Sequence, residues 1–140
     1  MMLLADKHIF IIEDNIQNRV VFQITLIRHG AKVDFERWGK NTLFRLRKAA
    51  QIDLIVLDLM LAEGISGFDL YDQIRALPEF DRVPILAVSA LDAGIAIPRA
   101  RSQGFAGFIA KPIDPYQFPQ QLAGVMEGEQ VWDFGGRTLA

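Results

Sequence analysis

Asp53-Leu54-Ile55-Val56-Leu57-Asp58 is the stretch on which the fold turns. Four consecutive apolar residues run straight into an aspartate. An apolar run this short reads as a strand buried on both faces, the kind found in the middle of a parallel sheet. A carboxylate at its end stands at the carboxyl edge of that sheet, where open α/β folds hold their ligands. Alone, Asp58 could equally end the strand or cap a loop. Three other strands end on chemistry-bearing residues in the same way, and that shifts the balance.

Upstream, Lys7-His8-Ile9-Phe10-Ile11-Ile12 reads as a strand running into Glu13-Asp14. Asn15 suits an N-cap. Ile16, Val20, Ile24 and Ile27 recur at helical spacing, as in an amphipathic helix that Gly30 ends. Lys32-Val33-Asp34-Phe35-Glu36 alternates polar and apolar residues, the pattern of a half-exposed edge strand. A second helix is expected from Asn41 to Ala50, with Leu43, Leu46 and Ala50 inward and Arg45, Arg47 and Lys48 on a solvated face.

Downstream, a loop carries Ala62, Glu63, Gly64, Ser66 and Gly67. A third helix runs from about Phe68 to Leu77, and Pro78 stops it. Val83-Pro84-Ile85-Leu86-Ala87-Val88 is a strand ending at Ser89, with its proline at the tolerated beginning. Leu91 to Gln103 contains Gly94 and Pro98, which predicts an irregular loop and then a short helix with Pro98 in its first turn. Phe105-Ala106-Gly107-Phe108-Ile109-Ala110 is the last strand and ends at Lys111-Pro112. Asp114-Pro115 begins the last helix, whose inward stripe is Phe118, Leu122 and Val125. The tail from Glu127 carries Trp132, Phe134, Gly135 and Gly136; it is too short for a second domain, so its aromatics either dock on the body or stay loose.

Strand and helix alternate five times, which calls for a parallel sheet with helices on both faces. The alternating strand belongs at an edge. The expectation is a flavodoxin-like, doubly wound α/β fold: a five-stranded parallel sheet in the order 2-1-3-4-5, five helices, and a ligand crevice between the first and third strands.

Composition narrows the function. The 140 residues fit one domain, with 51% apolar and 23% charged residues. A net charge of -2 argues against direct nucleic-acid binding, which leaves a basic footprint. With no cysteine, thiolate chemistry and disulfides are excluded. No apolar run is long enough for a membrane span, and the first residues lack the apolar region of a signal peptide. A cytoplasmic location is the default expectation.

Glu13, Asp14, Asp58, Ser89 and Lys111 all fall at carboxyl ends of inner strands, so this topology converges them on one rim. Three carboxylates together repel one another and call for a cation. Magnesium suits them, as a hard cation that takes carboxylate oxygens and keeps several waters. Lys111 is a point donor for a phosphoryl oxygen, and Ser89 adds a hydroxyl. That is equipment for in-line phosphoryl transfer onto an aspartate. Singly, each residue has a bland reading as a turn, a cap or a surface lysine. Packing gives no reason for all of them at four strand ends.

These residues resemble the receiver domains of two-component response regulators, particularly the stand-alone, chemotaxis-regulator type. The motifs are Glu13-Asp14, the Asp58 strand, Ser89-Ala90 and Phe108-Ile109-Ala110-Lys111-Pro112. The resemblance implies a receiver domain over residues 1–127 with a tail at 128–140. It implies that Asp58 is the phosphoacceptor, that Glu13, Asp14, Asp58 and the Met60 backbone carbonyl hold Mg2+, and that Lys111 holds the phosphoryl group. Ser89 and Phe108 become the switch pair. The Lys111–Pro112 bond is expected to be cis, turning the lysine back toward the crevice. Met60 and Leu91 flank the line along which a hydrolytic water approaches. Implied partners are a histidine kinase or histidine phosphotransfer protein and a downstream effector. The chain would act as no enzyme beyond its own phosphorylation and dephosphorylation.

Two departures stand out. Ala62 occupies the place where the family usually has proline, and Ile65-Ser66-Gly67 lies one residue further on, so the loop is one residue longer. The competing reading is a pseudo-receiver, an interaction module that never takes phosphate. An aspartate-based phosphohydrolase ranks below both, because its second Asp is replaced by Met60. A flavin carrier lacks its phosphate loop after the first strand.

Overall fold

The computed structural model describes residues 2–49 and 51–135. The expected positions of Ala50 and Gly136 lie outside the described residues. Five strands, β1 (His8–Ile12), β2 (Lys32–Glu36), β3 (Leu54–Leu57), β4 (Ile85–Ser89) and β5 (Gly107–Ala110), alternate with five helices. These are α1 (Ile16–Ile27), α2 (Thr42–Lys48), α3 (Gly67–Arg75), α4 (Ala93–Gln103) and α5 (Gln117–Met126). β3 is buried along its whole length, as its uninterrupted apolar run requires. β2 alternates and sits at the edge.

The expected five-stranded sheet is corrected to six. Val131–Asp133 forms β6, and the parallel order is β2-β1-β3-β4-β5-β6. The cause lies at the end of α5. Gly128 takes a positive φ of 97°. Its N–H donates to Val125 O at 3.0 Å, and the Glu129 N–H donates to Gly124 O at 2.9 Å. These paired bonds make a Schellman ending. It reverses the chain so that three further residues lie along β5. Three residues are too few to announce a strand from sequence.

The sheet divides two cores. One, under α3 and α4, contains Phe10, Ile12, Ile55, Leu57, Ala87 and Phe108. The other, under α1 and α5, contains Ile9, Ile11, Val56, Val88, Ile109 and Phe118. Each fully buried Val, Leu, Ile or Phe side chain among them contributes roughly 1.5–3 kcal/mol.

Two helices differ from expectation. α4 is continuous from Ala93, with Asp92 accepting from the Gly94 N–H and Pro98 in its interior. Burial of Ala93, Ala96, Ile97 and Ala100 against the core outweighs the poor propensity. α1 forms, but the Ile16-Val20-Ile24-Ile27 stripe faces outward while Phe22, Thr25 and Leu26 are buried. Apolar residues surround this helix, so spacing alone did not choose its inner face. No described helix is long and apolar enough to cross a membrane.

Candidate functional site

The register brings the predicted residues together. Ile12 of β1 pairs with Leu57 of β3, so Glu13 and Asp58 leave the sheet side by side. Ser89 pairs with Ala110, and the Lys111 N–H donates to Ser89 O at 2.9 Å. The Lys111–Pro112 bond is cis, as expected. Lys111 Nζ lies 2.5 Å from Glu13 Oε1 and 2.8 Å from Asp58 Oδ2.

Glu13 and Asp58 are buried. Burial pushes the Glu13 carboxyl above its usual range, and Lys111 only partly opposes this. Burial works to lower the Lys111 pKa, but its bonds to Asp58 and Glu13 outweigh it and hold the pKa above the ordinary value. One ammonium draws on two carboxylates, whereas each carboxylate receives only a share of it. Lys111 therefore stays charged, and the Glu13 carboxyl takes up a proton more readily than an ordinary glutamate.

Oxygens of Glu13, Asp14 and Asp58 lie within 4.8 Å of one another. Octahedral ligands about 2.0–2.1 Å from magnesium stand roughly 3–4 Å apart, so this trio needs only slight closure. No described residue donates to the Met60 carbonyl, which leaves it available as a fourth oxygen. The hard, all-oxygen donor set suits magnesium.

The longer loop is absorbed in a tight turn beside Asp14. Glu63 and Gly64 both take positive φ, 61° and 72°. Ile65 N–H closes on Ala62 O, Leu61 N–H bonds Ile65 O, and Met60 bridges Ser66. Positive φ at both central positions is the type I′ arrangement that suits a tight hairpin. Met60 stays beside Asp58, donating its N–H to Oδ1 at 3.1 Å.

Ser89 is buried, and its Oγ accepts from the Leu91 N–H. Phe108 is set back from the rim, buried within β5. Sequence reasoning missed the supporting contacts. Asn18 Nδ2 donates to Glu13 Oε1 and Arg19 Nε to Glu13 O, while the Ala62 N–H donates to Asp14 Oδ2. The signal for the first two was their place in the first turn after Glu13-Asp14.

The sheet order and the acidic rim with its lysine define a doubly wound α/β protein with a candidate cation site at the carboxyl ends of its strands. A family model, "Response regulator receiver domain", matches residues 9–123, and the chain belongs to that family. AfsQ1 of Streptomyces coelicolor, a transcriptional regulatory protein, is 32% identical over 118 residues, 84% of this chain and 50% of that one. The two-component response regulator ORR3 of Oryza sativa subsp. indica is 26% identical over 79% of this chain and 83% of its own. The chemotaxis response regulator CheY4 of Vibrio cholerae shares the fold at TM-score 0.75, with 23% identity, over 85% and 98% of the two chains. The receiver domain of the sensor histidine kinase PA1611 of Pseudomonas aeruginosa matches at TM-score 0.72 and 26% identity, over 89% of this chain and all of that one; its structure holds magnesium in the active site cleft. Receiver domains are signalling phosphoacceptors rather than classical enzymes.

Proposed function

We propose that Asp58 accepts a phosphoryl group from a phosphohistidine of a histidine kinase or phosphotransfer protein, and that the product signals by altered binding to a downstream effector. The carrying observation is the single ammonium of Lys111 between Glu13 and Asp58. A buried aspartate beside a lysine and two further carboxylates is a nucleophile with one cation at hand, and the remaining negative charge calls for a second.

Glu13, Asp14, Asp58 and the Met60 carbonyl would hold magnesium. When bound, the ion neutralises charge on the phosphoryl oxygens. An Asp58 carboxylate oxygen attacks phosphorus in line. The P–O bond forms as the P–N bond to the donor imidazole breaks, and that nitrogen leaves with the bonding pair. Lys111 turns one N–H from Glu13 to a phosphoryl oxygen, and the Ser89 hydroxyl donates to another. The Met60 N–H keeps the acyl oxygen oriented.

The outward stripe on α1 supports a protein donor. It begins at Ile16, 72% exposed and two residues from Asp14, and continues through Val20, Ile24 and Ile27. An exposed apolar stripe leading from the rim is a landing surface for a partner. The test is incubation with a small phosphodonor and magnesium, followed by mapping of the modified residue. Labelling at Asp58 is expected, with none in Asp58→Asn. Labelling that survives in this variant overturns the reading.

A further inference from the structure

β6 occupies the place where a five-stranded sheet would end in an open edge. Several features of the body fit it there. A Cβ on Gly107 would stand 2.2 Å from the Val131 carbonyl oxygen and 2.8 Å from Val131 Cγ1, so β5 lacks a side chain where β6 approaches. Trp132 pairs in register with Phe108 and packs against the same core. Arg101 of α4 lies over the Trp132 ring at 4.6 Å. On the other face, Gln121 Nε2 of α5 donates to Asp133 Oδ2 at 2.8 Å. The strand is thus pinned from both helix layers, yet it is only three half-buried residues long. Such a segment opens locally at small cost.

We infer that β6 is a releasable cover on the α4–β5–α5 face, and that the state of Asp58 sets whether it stays seated. This rests on the reading of Asp58 as phosphoacceptor. The connection is short. Phosphorylation draws the Ser89 hydroxyl toward the phosphoryl group, breaking its bond to the Leu91 N–H at the entry to α4. α4 carries Arg101, and Phe108 stands beside Trp132. A shift of either disturbs the seat of the tryptophan. Release bares the edge of β5, so an event at the rim changes which backbone groups a distant edge exposes.

The test uses the full chain carrying Trp38→Phe, which leaves Trp132 as the reporter. Emission and hydrogen exchange at residues 131–133 are compared in magnesium alone and in magnesium with beryllofluoride, with fluorine NMR recording occupancy of the site. The expected result is a red shift of Trp132 and exchange faster by about tenfold or more on occupancy, the size of a cover opening locally. Asp58→Asn should show neither. Gly107→Val should show the released signature without beryllofluoride, and Arg101→Gln should move part of the way. Bound beryllofluoride with an unchanged tail overturns the inference and leaves the proposed function standing. No bound beryllofluoride removes both. A tail equally protected in Gly107→Val also overturns it, because the seat would then not depend on that close approach.

Discussion

Gly67 sets the main chain of Asp58 in place. A Cβ there would lie 2.2 Å from the Asp58 carbonyl oxygen and 2.7 Å from Leu59 Cα, both backbone atoms that cannot swing aside. Gly67→Ala is expected to cost about 1–3 kcal/mol in urea unfolding, the ordinary range for overpacking. It should also slow labelling by a small phosphodonor, since the shift falls on the attacking residue. Normal labelling in a destabilised variant would separate the two effects and refute the second. Met60 and Leu91 are the other residues to test. With Met60 held beside Asp58 by its own N–H, neither of these side chains is a good partner for a water approaching the phosphorus. Phospho-Asp58 should therefore be long-lived, and Met60→Asn and Leu91→Glu should each speed first-order loss of the phosphoryl group. If neither does, these side chains do not set the lifetime. Glu13, Asp14, Asp58, Ser89 and Lys111 were legible because each follows an apolar strand, and strand ends share a rim. Asn18 and the Ala62 N–H were not, because their reach depends on helix rotation and loop closure.

At the scale of elements, β3 and β2 could be read directly, since burial on two faces or one writes itself as a run or an alternation. Helices were read less well. In α4, Gly94 and Pro98 argue locally for a break, and packing of its alanines overrides them. In α1, two apolar arcs compete. The inner arc won because Phe22 stacks on Phe118 of α5 at 5.4 Å, leaving the β-branched stripe outside. That exposure is itself testable. Val20→Lys and Ile24→Lys touch no core, so unfolding free energy should move by no more than about 0.5 kcal/mol. Labelling by a small phosphodonor should be unchanged. Transfer from a phosphorylated histidine phosphotransfer protein should slow, because the donor loses its apolar contact. Equal loss with both donors would place the defect in the site rather than at the landing surface.

Across the whole molecule, the parallel sheet gathers carboxylates from two strand ends onto one rim, with Lys111 the only cation bonded to them there among the described residues. This placement serves a ligand at the expense of the empty fold: burial pushes the Glu13 carboxyl up, and the nearby Asp58 charge adds to that push. The whole-chain consequence is a linkage between magnesium and stability. A ligand that binds only the folded state at one hundred times its dissociation constant stabilises by about 2.7 kcal/mol. Magnesium should therefore raise the urea midpoint of the parent markedly. Asp14→Asn removes one negative charge while its side-chain oxygen can still accept from the Ala62 N–H, so the loop contact is kept. Two opposite effects follow. In a chelator the variant should be more stable than the parent, because one repulsion is gone. In saturating magnesium it should be less stable, because an amide oxygen is a poorer ligand for a hard dication than a carboxylate. The order of the two midpoints thus reverses with the metal. Were magnesium to raise both proteins equally, the ion would be acting elsewhere on the surface, and Asp14 would have to be withdrawn from the metal site.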